Sequence, residues 1–408
     1  MKNHKITLAN VLIKKAINLQ PGDILHIFSP IEVSDFTDIL VEQAYKNKAK
    51  FVYVEYYNTN NDTARLKYSN DEFLDFYPDF LVNQKIDMLN EKVSLLKLRP
   101  GIEYEEETTF SKKMTALNAF NTAMMKYTKL KRKGKYFSSC STVVPTLYWA
   151  KTLFPDESSN LQALEKLWSL YFEITGVYET DPLQYWEILI SQIENRKTLL
   201  NSLELKKLHI FDNKSNFTLE LPHNHLWVGG VEKNIDNVTS MPNFPTEEIF
   251  TTLCKYSLNG IVHSSKPLVF QNKLVDDFHF SFKDGKIVDY VAKIGQDFLK
   301  EILNTDIGSM YCGEIALLSG ETKISSTNTI FKTTLLDENA ACHLALGCAY
   351  TCNVKDTIPY DYQNFEKNEL NFSKIHIDFM FGSKEINVVG YYENNREISI
   401  ISNGEWCI

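Results

Sequence analysis

Pro21-Gly22-Asp23-Ile24-Leu25-His26-Ile27-Phe28 is the stretch on which the reading of the fold turns. Upstream of it, Leu8, Val11, Leu12, Ala16 and Leu19 recur at helical spacing, and Pro21-Gly22 ends that helix before Ile24 to Phe28 begins a strand. Downstream, a helix over Asp35 to Asn47 leads into a second strand, Phe51-Val52-Tyr53-Val54-Glu55. Strand, helix and strand in this order make a β-α-β unit, which lays its two strands parallel.

The same alternation continues. Strands are expected at Val93 to Leu98 and Tyr136 to Val144, and helices at Asp71 to Val82 and Thr109 to Lys129, so the first half is read as an open, mostly parallel α/β sheet. Aromatic-rich helical segments, Leu161 to Ile174 and Pro182 to Leu205, close it. From residue 206 the pattern changes to short strands (Leu208 to Phe211, Asn216 to Leu221, Leu268 to Phe270, Phe278 to Lys283, Lys286 to Ala292) divided by Gly, Asn and Asp turns. Helices are expected there at Gly295 to Leu303, briefly around Met310, and from Asn339 onward, the last preceded by Asp337 and Glu338, which suit a helix N-terminus. With 408 residues the chain exceeds one ordinary core. The expectation is an N-terminal α/β domain over 1–205 and a C-terminal α+β metal-binding domain over 206–408.

A net charge of −9 argues against a nucleic-acid partner, whose phosphates call for clustered Lys and Arg. The one basic run, Lys126 to Lys135, reads as a solvated helix end. The first strand is followed by no Gly-x-Gly-x-x-Gly, and no Gly-Lys-Ser/Thr phosphate loop occurs, so a nucleotide-binding reading fails. The seven scattered cysteines fit a reduced, cytoplasmic interior. Cys342, Cys348 and Cys352 lack structural-zinc spacing and read as small residues on a packed helix face. Neither a signal peptide nor a run of about 20 apolar residues is present, so no membrane partner is expected.

Candidate chemistry gathers in the second half. Lys374-Ile375-His376-Ile377-Asp378-Phe379-Met380 sets His376 and Asp378 on one face of a strand and Ile375, Ile377 and Phe379 on the other. That pattern is also the ordinary one for a half-buried sheet, so a metal reading needs convergent ligands. Glu314 opens the apolar run Ile315-Ala316-Leu317-Leu318, where a carboxylate needs a cation or donors. On a helix begun near Asn339, His343 and Tyr350 would return to nearly one face. Glu247 and Glu248 stand together, and strand alternation lets only one face inward without choosing between them.

Asn243-Phe244-Pro245-Thr246-Glu247-Glu248-Ile249-Phe250-Thr251 and Leu336-Asp337-Glu338-Asn339-Ala340-Ala341-Cys342-His343-Leu344-Ala345-Leu346-Gly347 resemble the aminopeptidase T family, the M29 metallopeptidases. Ile375-His376-Ile377-Asp378-Phe379-Met380-Phe381-Gly382 resembles the family's third motif, and the likeness extends to Leu19-Gln20-Pro21-Gly22-Asp23 and Leu226-Trp227-Val228-Gly229-Gly230. The resemblance implies a two-domain homodimer with two divalent ions held close together in each chain. It implies Glu248 rather than Glu247. Carried over residue by residue, the metal positions are Glu248, Glu314, His343, His376 and Asp378, with Tyr350 beside the ions. Glu338 is a further member, able to join only if the helix begins after it.

Such a site implies an aminopeptidase acting on peptides with a free N-terminus, by a water activated between the two ions. Glu314 is then the shared ligand and Tyr350 a donor to the developing oxyanion, while Glu248 and Glu338 are candidates for the general base. Two neutral imidazoles place zinc or cobalt ahead of magnesium or manganese. The alternative is a non-catalytic metal- or peptide-binding dimer of the same fold. Rival hydrolase chemistry lacks its motifs: there is neither a Gly-x-Ser-x-Gly elbow nor a His-Glu-x-x-His helix, and His263-Ser264-Ser265 reads as a turn.

Overall fold

A computed structural model of the chain describes residues 1–102, 110–134, 137–271, 273–355 and 362–408. Thr109, Lys135 and Tyr136, at the edges of expected elements, lie outside the described residues. By Cα proximity the chain divides into two units, Met1–Ile188 with Val231–Pro245, and Leu189–Gly230 with Thr246–Ile408.

The first unit is built on β1 (Ile24–Pro30), β2 (Phe51–Tyr57), β3 (Ser94–Pro100) and β4 (Ser139–Val144), parallel and in the order 4-3-1-2. Asn243–Phe244 adds a short parallel strand beside β4. Helix α1 (Lys2–Val11) continues through a wider turn at Leu12–Ala16 and buries Leu8, Val11, Leu12 and Ala16, the stripe that the spacing predicts. Helix α2 (Ser34–Lys46) buries Phe36, Leu40 and Ala44. On the sheet, Leu25, Ile27, Leu96 and Leu98 are fully buried on one face. The other face carries His26, Phe28, Glu55, Lys97 and Arg99 beneath α3 (Thr59–Tyr68), α4 (Asp79–Asn90) and α5 (Phe110–Gly134).

The helix expected over Asp71 to Val82 is instead a single 3-10 turn, Asp71–Phe73, followed by α4. Pro78 is the reason: its ring disfavours a helical Tyr77, and with φ near −75° it starts the next helix instead of continuing the last. Helices α6 (Leu147–Leu153), α7 (Asn160–Ile174) and α8 (Pro182–Leu203) follow. Ser159 caps α7 by accepting from Gln162 N at 3.2 Å. Tyr171 on the buried face of α7 meets the Thr142 hydroxyl at 2.6 Å. The division between units passes inside α8, between Ile188 and Leu189.

The second unit holds a nine-stranded antiparallel sheet and a five-stranded one. The five-stranded sheet consists of β5 (Ile249–Thr252), β6 (Cys312–Leu317), β7 (His343–Gly347) and β8 (His376–Met380), with Val228–Gly229 at the edge beside β5. The helix expected from Asn339 is absent. Thr334–Asp337 is a short helix, Glu338–Ala340 a 3-10 turn, and His343 opens a strand buried at all five residues. A doubly buried strand is as unbroken in its apolarity as a buried helix, so the two cannot be told apart by periodicity. Cys342 and Cys348 accordingly flank a strand, not a helix face, and His263 ends the strand Asn259–His263, where it stacks on His279 at 4.7 Å.

In the first unit, the His26 imidazole 2.9 Å away and the Lys85 ammonium 2.7 Å away hold the Glu55 carboxyl down to about 2 from its ordinary 4.5, against the effect of its burial. A carboxyl depressed in the folded chain contributes stability that is complete above the unfolded value and is lost as pH falls through the folded one. Wild-type midpoints in denaturant should therefore fall between pH 4.5 and 2 more steeply than those of Glu55→Gln, and parallel curves would refute the ion pairs.

Candidate metal centre

The ligand face of the five-stranded sheet follows from its register. Asp378 on β8 stands opposite Ala345 on β7, and Ala345 stands opposite Glu314 on β6, so the three side chains form a row across one face. His343 and His376 lie two residues from that row on their own strands and therefore share the face. Glu248 precedes β5 in phase with Thr252, which pairs with Glu314, so it too points to this side. Glu247 points away, toward Lys323 and Arg196.

Glu314 reaches the row through an irregularity: Cys312 pairs with Leu346 and Glu314 with Ala345, so two residues on β6 answer one on β7. This bulge at Gly313 re-aims the strand. Small residues keep the floor open. Between Glu314 and Asp378 stands only the methyl group of Ala345. Opposite His376 stands Gly347, at φ 97°, where an added Cβ would lie 2.2 Å from the Ile375 carbonyl oxygen.

The ligand atoms converge. His343 Nε2 lies 3.5 Å from Glu248 Oε2 and 3.8 Å from Glu314 Oε1, and His376 Nε2 lies 3.4 Å from Asp378 Oδ1 and 3.9 Å from Glu314 Oε2. One atom each from Glu314, His343 and Asp378 falls within 4.8 Å of the others. Two atoms bound to one ion at about 2.0 to 2.2 Å stand roughly 3 to 4 Å apart, so this spacing suits ligation. Glu314 Oε2 and Asp378 Oδ1 are buried with no hydrogen-bond partner among the described residues, as acceptors awaiting a cation would be. His343 is 1% exposed and Glu314 5%.

Electrostatics point the same way. Burial, with the Asp378 charge added, pushes Glu248 up to about 8, and burial also raises Glu314 well above the usual range despite the relief from His376. Glu338 is raised by burial and then by Glu248, Asp378 and Glu314, which places its carboxyl within the field of the cluster from the turn Glu338–Ala340. Burial lowers His343, keeping its imidazole neutral as a ligand must be. At His376 burial is outweighed by Asp378 and Glu314, which raise it to about 9. Asp378 is lowered, its burial outweighed by His376.

Both histidines are oriented by main-chain carbonyls. His376 Nδ1 meets Cys348 O at 2.7 Å and His343 Nδ1 meets Ala341 O at 3.2 Å, directing each Nε2 to the cluster. The Tyr350 ring lies 4.4 Å from that of His376, centroid to centroid, reached from the loop after β7 and not from a shared helix. Asn339 carries a role that the sequence reading passed over. Its Oδ1 accepts from the Thr246 hydroxyl at 3.0 Å and from Glu247 N at 2.8 Å, fixing the corner that aims Glu248. An amide between the acidic pair Asp337-Glu338 and the apolar pair Ala340-Ala341 was the available signal.

Comparison with known proteins gives the family. The family described as thermophilic metalloprotease (M29) matches residues 2–406. Aminopeptidase AmpS of Bacillus subtilis is 32% identical over 98% of both chains, and Aminopeptidase 2 of Geobacillus stearothermophilus is 31% identical over 98% of this chain and 96% of its own. The solved structure of wild-type AmpT from Thermus thermophilus matches over the whole of both chains with a TM-score of 0.88 at 28% identity. Motif, register and full-length likeness agree: the chain belongs to the M29 family of thermophilic metalloproteases.

Proposed function

We propose that this chain is a dinuclear metal-dependent aminopeptidase, cleaving the first peptide bond of substrates with a free N-terminus. The observation that carries the reading is the buried convergence of Glu248, Glu314, His343, His376 and Asp378, with Glu338 in the same field. Four carboxylates carry a formal charge that two dications neutralise, which supports two ions over one. The mixed imidazole and carboxylate set favours zinc or cobalt. When bound, the ions would supply Lewis acidity, lowering the pKa of water and polarising the peptide carbonyl.

The chain's own groups do the rest. Glu314, with one carboxylate oxygen 3.8 Å from His343 Nε2 and the other 3.9 Å from His376 Nε2, would join the two halves of the ligand set. Glu248 and Glu338, whose burial beside other carboxylates raises their proton affinity, hold the proton released by the attacking water. Tyr350 donates to the oxygen that gains charge, and a carboxylate at the cluster's edge pairs with the substrate's α-amine. The same proposal includes a homodimer, checked by sedimentation at twice the chain mass. It also includes residence in the cytoplasm, which seven cysteines without a disulfide among the described residues support. Among the described residues no helix is long and apolar enough to cross a membrane.

Release of chromophore from leucine-linked amides, abolished by a chelator and restored by cobalt or zinc, is the expected result. Tight peptide binding without turnover would establish the non-catalytic alternative instead. His376→Ala should lose one metal by elemental analysis and activity by orders of magnitude, while the first unit stays folded. Tyr350→Phe should lower kcat by about 10²- to 10³-fold with metal content unchanged. Metal loss in that variant would make Tyr350 a ligand. Asn339→Ala leaves the buried Thr246 hydroxyl and the part-buried Glu247 N–H without this acceptor, a cost of about 1 to 3 kcal/mol for the buried donor. A lowered thermal midpoint together with weakened metal retention is expected, and a rise in KM alone would contradict the positioning role.

A further inference from the structure

We propose that the first unit carries a second binding site, for a small organic anion with an aromatic or branched apolar body and one carboxylate. It occupies the cavity between α3–α5 and the polar face of the parallel sheet. The metal chemistry uses none of its groups.

Parallel sheets covered on both faces are apolar on both. This one is not. Along β3, Ser94, Leu96, Leu98 and Pro100 are buried, whereas Leu95 and Lys97 are half-buried and Arg99 is exposed. Register places His26 opposite Leu95, and Phe28 opposite both Lys97 and Glu55, so polar and aromatic groups of three strands share the face. Three helices cover it without closing on it, leaving a cavity of about 780 Å³, the size of a small-molecule site. Strand order 4-3-1-2 sends the chain outward from β1 to β2 and the other way from β3 to β4, which opens a crevice at the carboxyl ends of β1 and β3.

The lining selects the ligand. Phe28 stacks on Tyr57 with centroids 4.5 Å apart and planes at 10°, and the Lys85 and Lys97 ammonium groups each lie 5.6 Å from the Phe28 centroid. Facing this platform, Leu66, Leu117, Phe120 and Met124 supply apolar walls for a flat or branched body. Three of the charged groups are already committed to the fold. Glu55 is paired with His26 and Lys85, and Arg65 donates to the Phe76 carbonyl at 2.6 Å. Among the other charged groups of the lining, which include Asp62, Lys97 and Lys113, Arg99 stands at the carboxyl end of β3, a planar guanidinium suited to gripping a carboxylate through two parallel bonds. Because the sequence has no glycine-rich phosphate loop, a carboxylate fits better than a nucleotide.

Calorimetric titration of the full-length metal-loaded protein with indole-3-acetate tests the proposal, with indole-3-ethanol as the neutral control. Saturable one-to-one binding of the acid is expected, weaker for the alcohol, reduced about tenfold or more by Arg99→Glu, and abolished by Ala116→Trp, which fills the cavity from α5. His376→Ala should leave it unchanged, and both cavity variants should keep peptidase activity. Absence of binding overturns the proposal. So does binding that survives Arg99→Glu at full strength, or that disappears with His376→Ala, since the probe would then sit at the metal centre. If Ala116→Trp does not fold, Arg99→Glu, on the exposed rim, decides alone.

Discussion

Four carboxylates facing one another beneath a protein surface are the constraint around which the second unit is organised. Buried negative charge without compensation is among the most costly arrangements a fold can contain, and two imidazoles, one held neutral by burial, do not offset it. The answer is a site shaped for cations, and the surrounding sheet serves that shape. Antiparallel pairing brings Glu314, Ala345 and Asp378 into one row, the small residues between the ligands leave the floor clear, and main-chain carbonyls fix the two imidazoles. Each would be an ordinary feature of a sheet taken singly. Together they leave Glu314 Oε2 and Asp378 Oδ1 without a hydrogen-bond partner among the described residues, acceptors that a cation would satisfy.

The first unit shows the same logic in a milder form. Its sheet has one apolar face, sealed by the buried side chains of β1 and β3, and one face where charge and aromatic rings lie under helices. Ion pairing with His26 and Lys85 makes the buried part of that charge tolerable.

How much of this could be read from the sequence depended on whether the signal was local. The β-α-β opening was legible because Pro21-Gly22 punctuates two unmistakable periods, and His376-Ile377-Asp378 because a period of two is visible in three residues. His343 to Gly347 was misread as helix because small apolar residues in a central strand carry no alternation. The choice of Glu248 over Glu247 came from resemblance; in the folded chain it follows from the phase of β5 and from Asn339, more than 90 positions away. Pro78 lies inside the stretch Asp71 to Val82, expected as one helix, and divides it into a 3-10 turn and the start of α4. The bulge at Gly313 left no trace in the sequence beyond a glycine.

That bulge has a consequence for how the protein can change. Because Gly313 is inserted between two positions whose partners on β7 are adjacent, it bends β6 without changing which residues face the cluster. Deleting Gly313 would leave Glu314 opposite Ala345, on the same face, and would remove the bend that sets the angle of its carboxylate. The bulge thus governs the tilt of the carboxylate, while the ladder on either side of it governs the face.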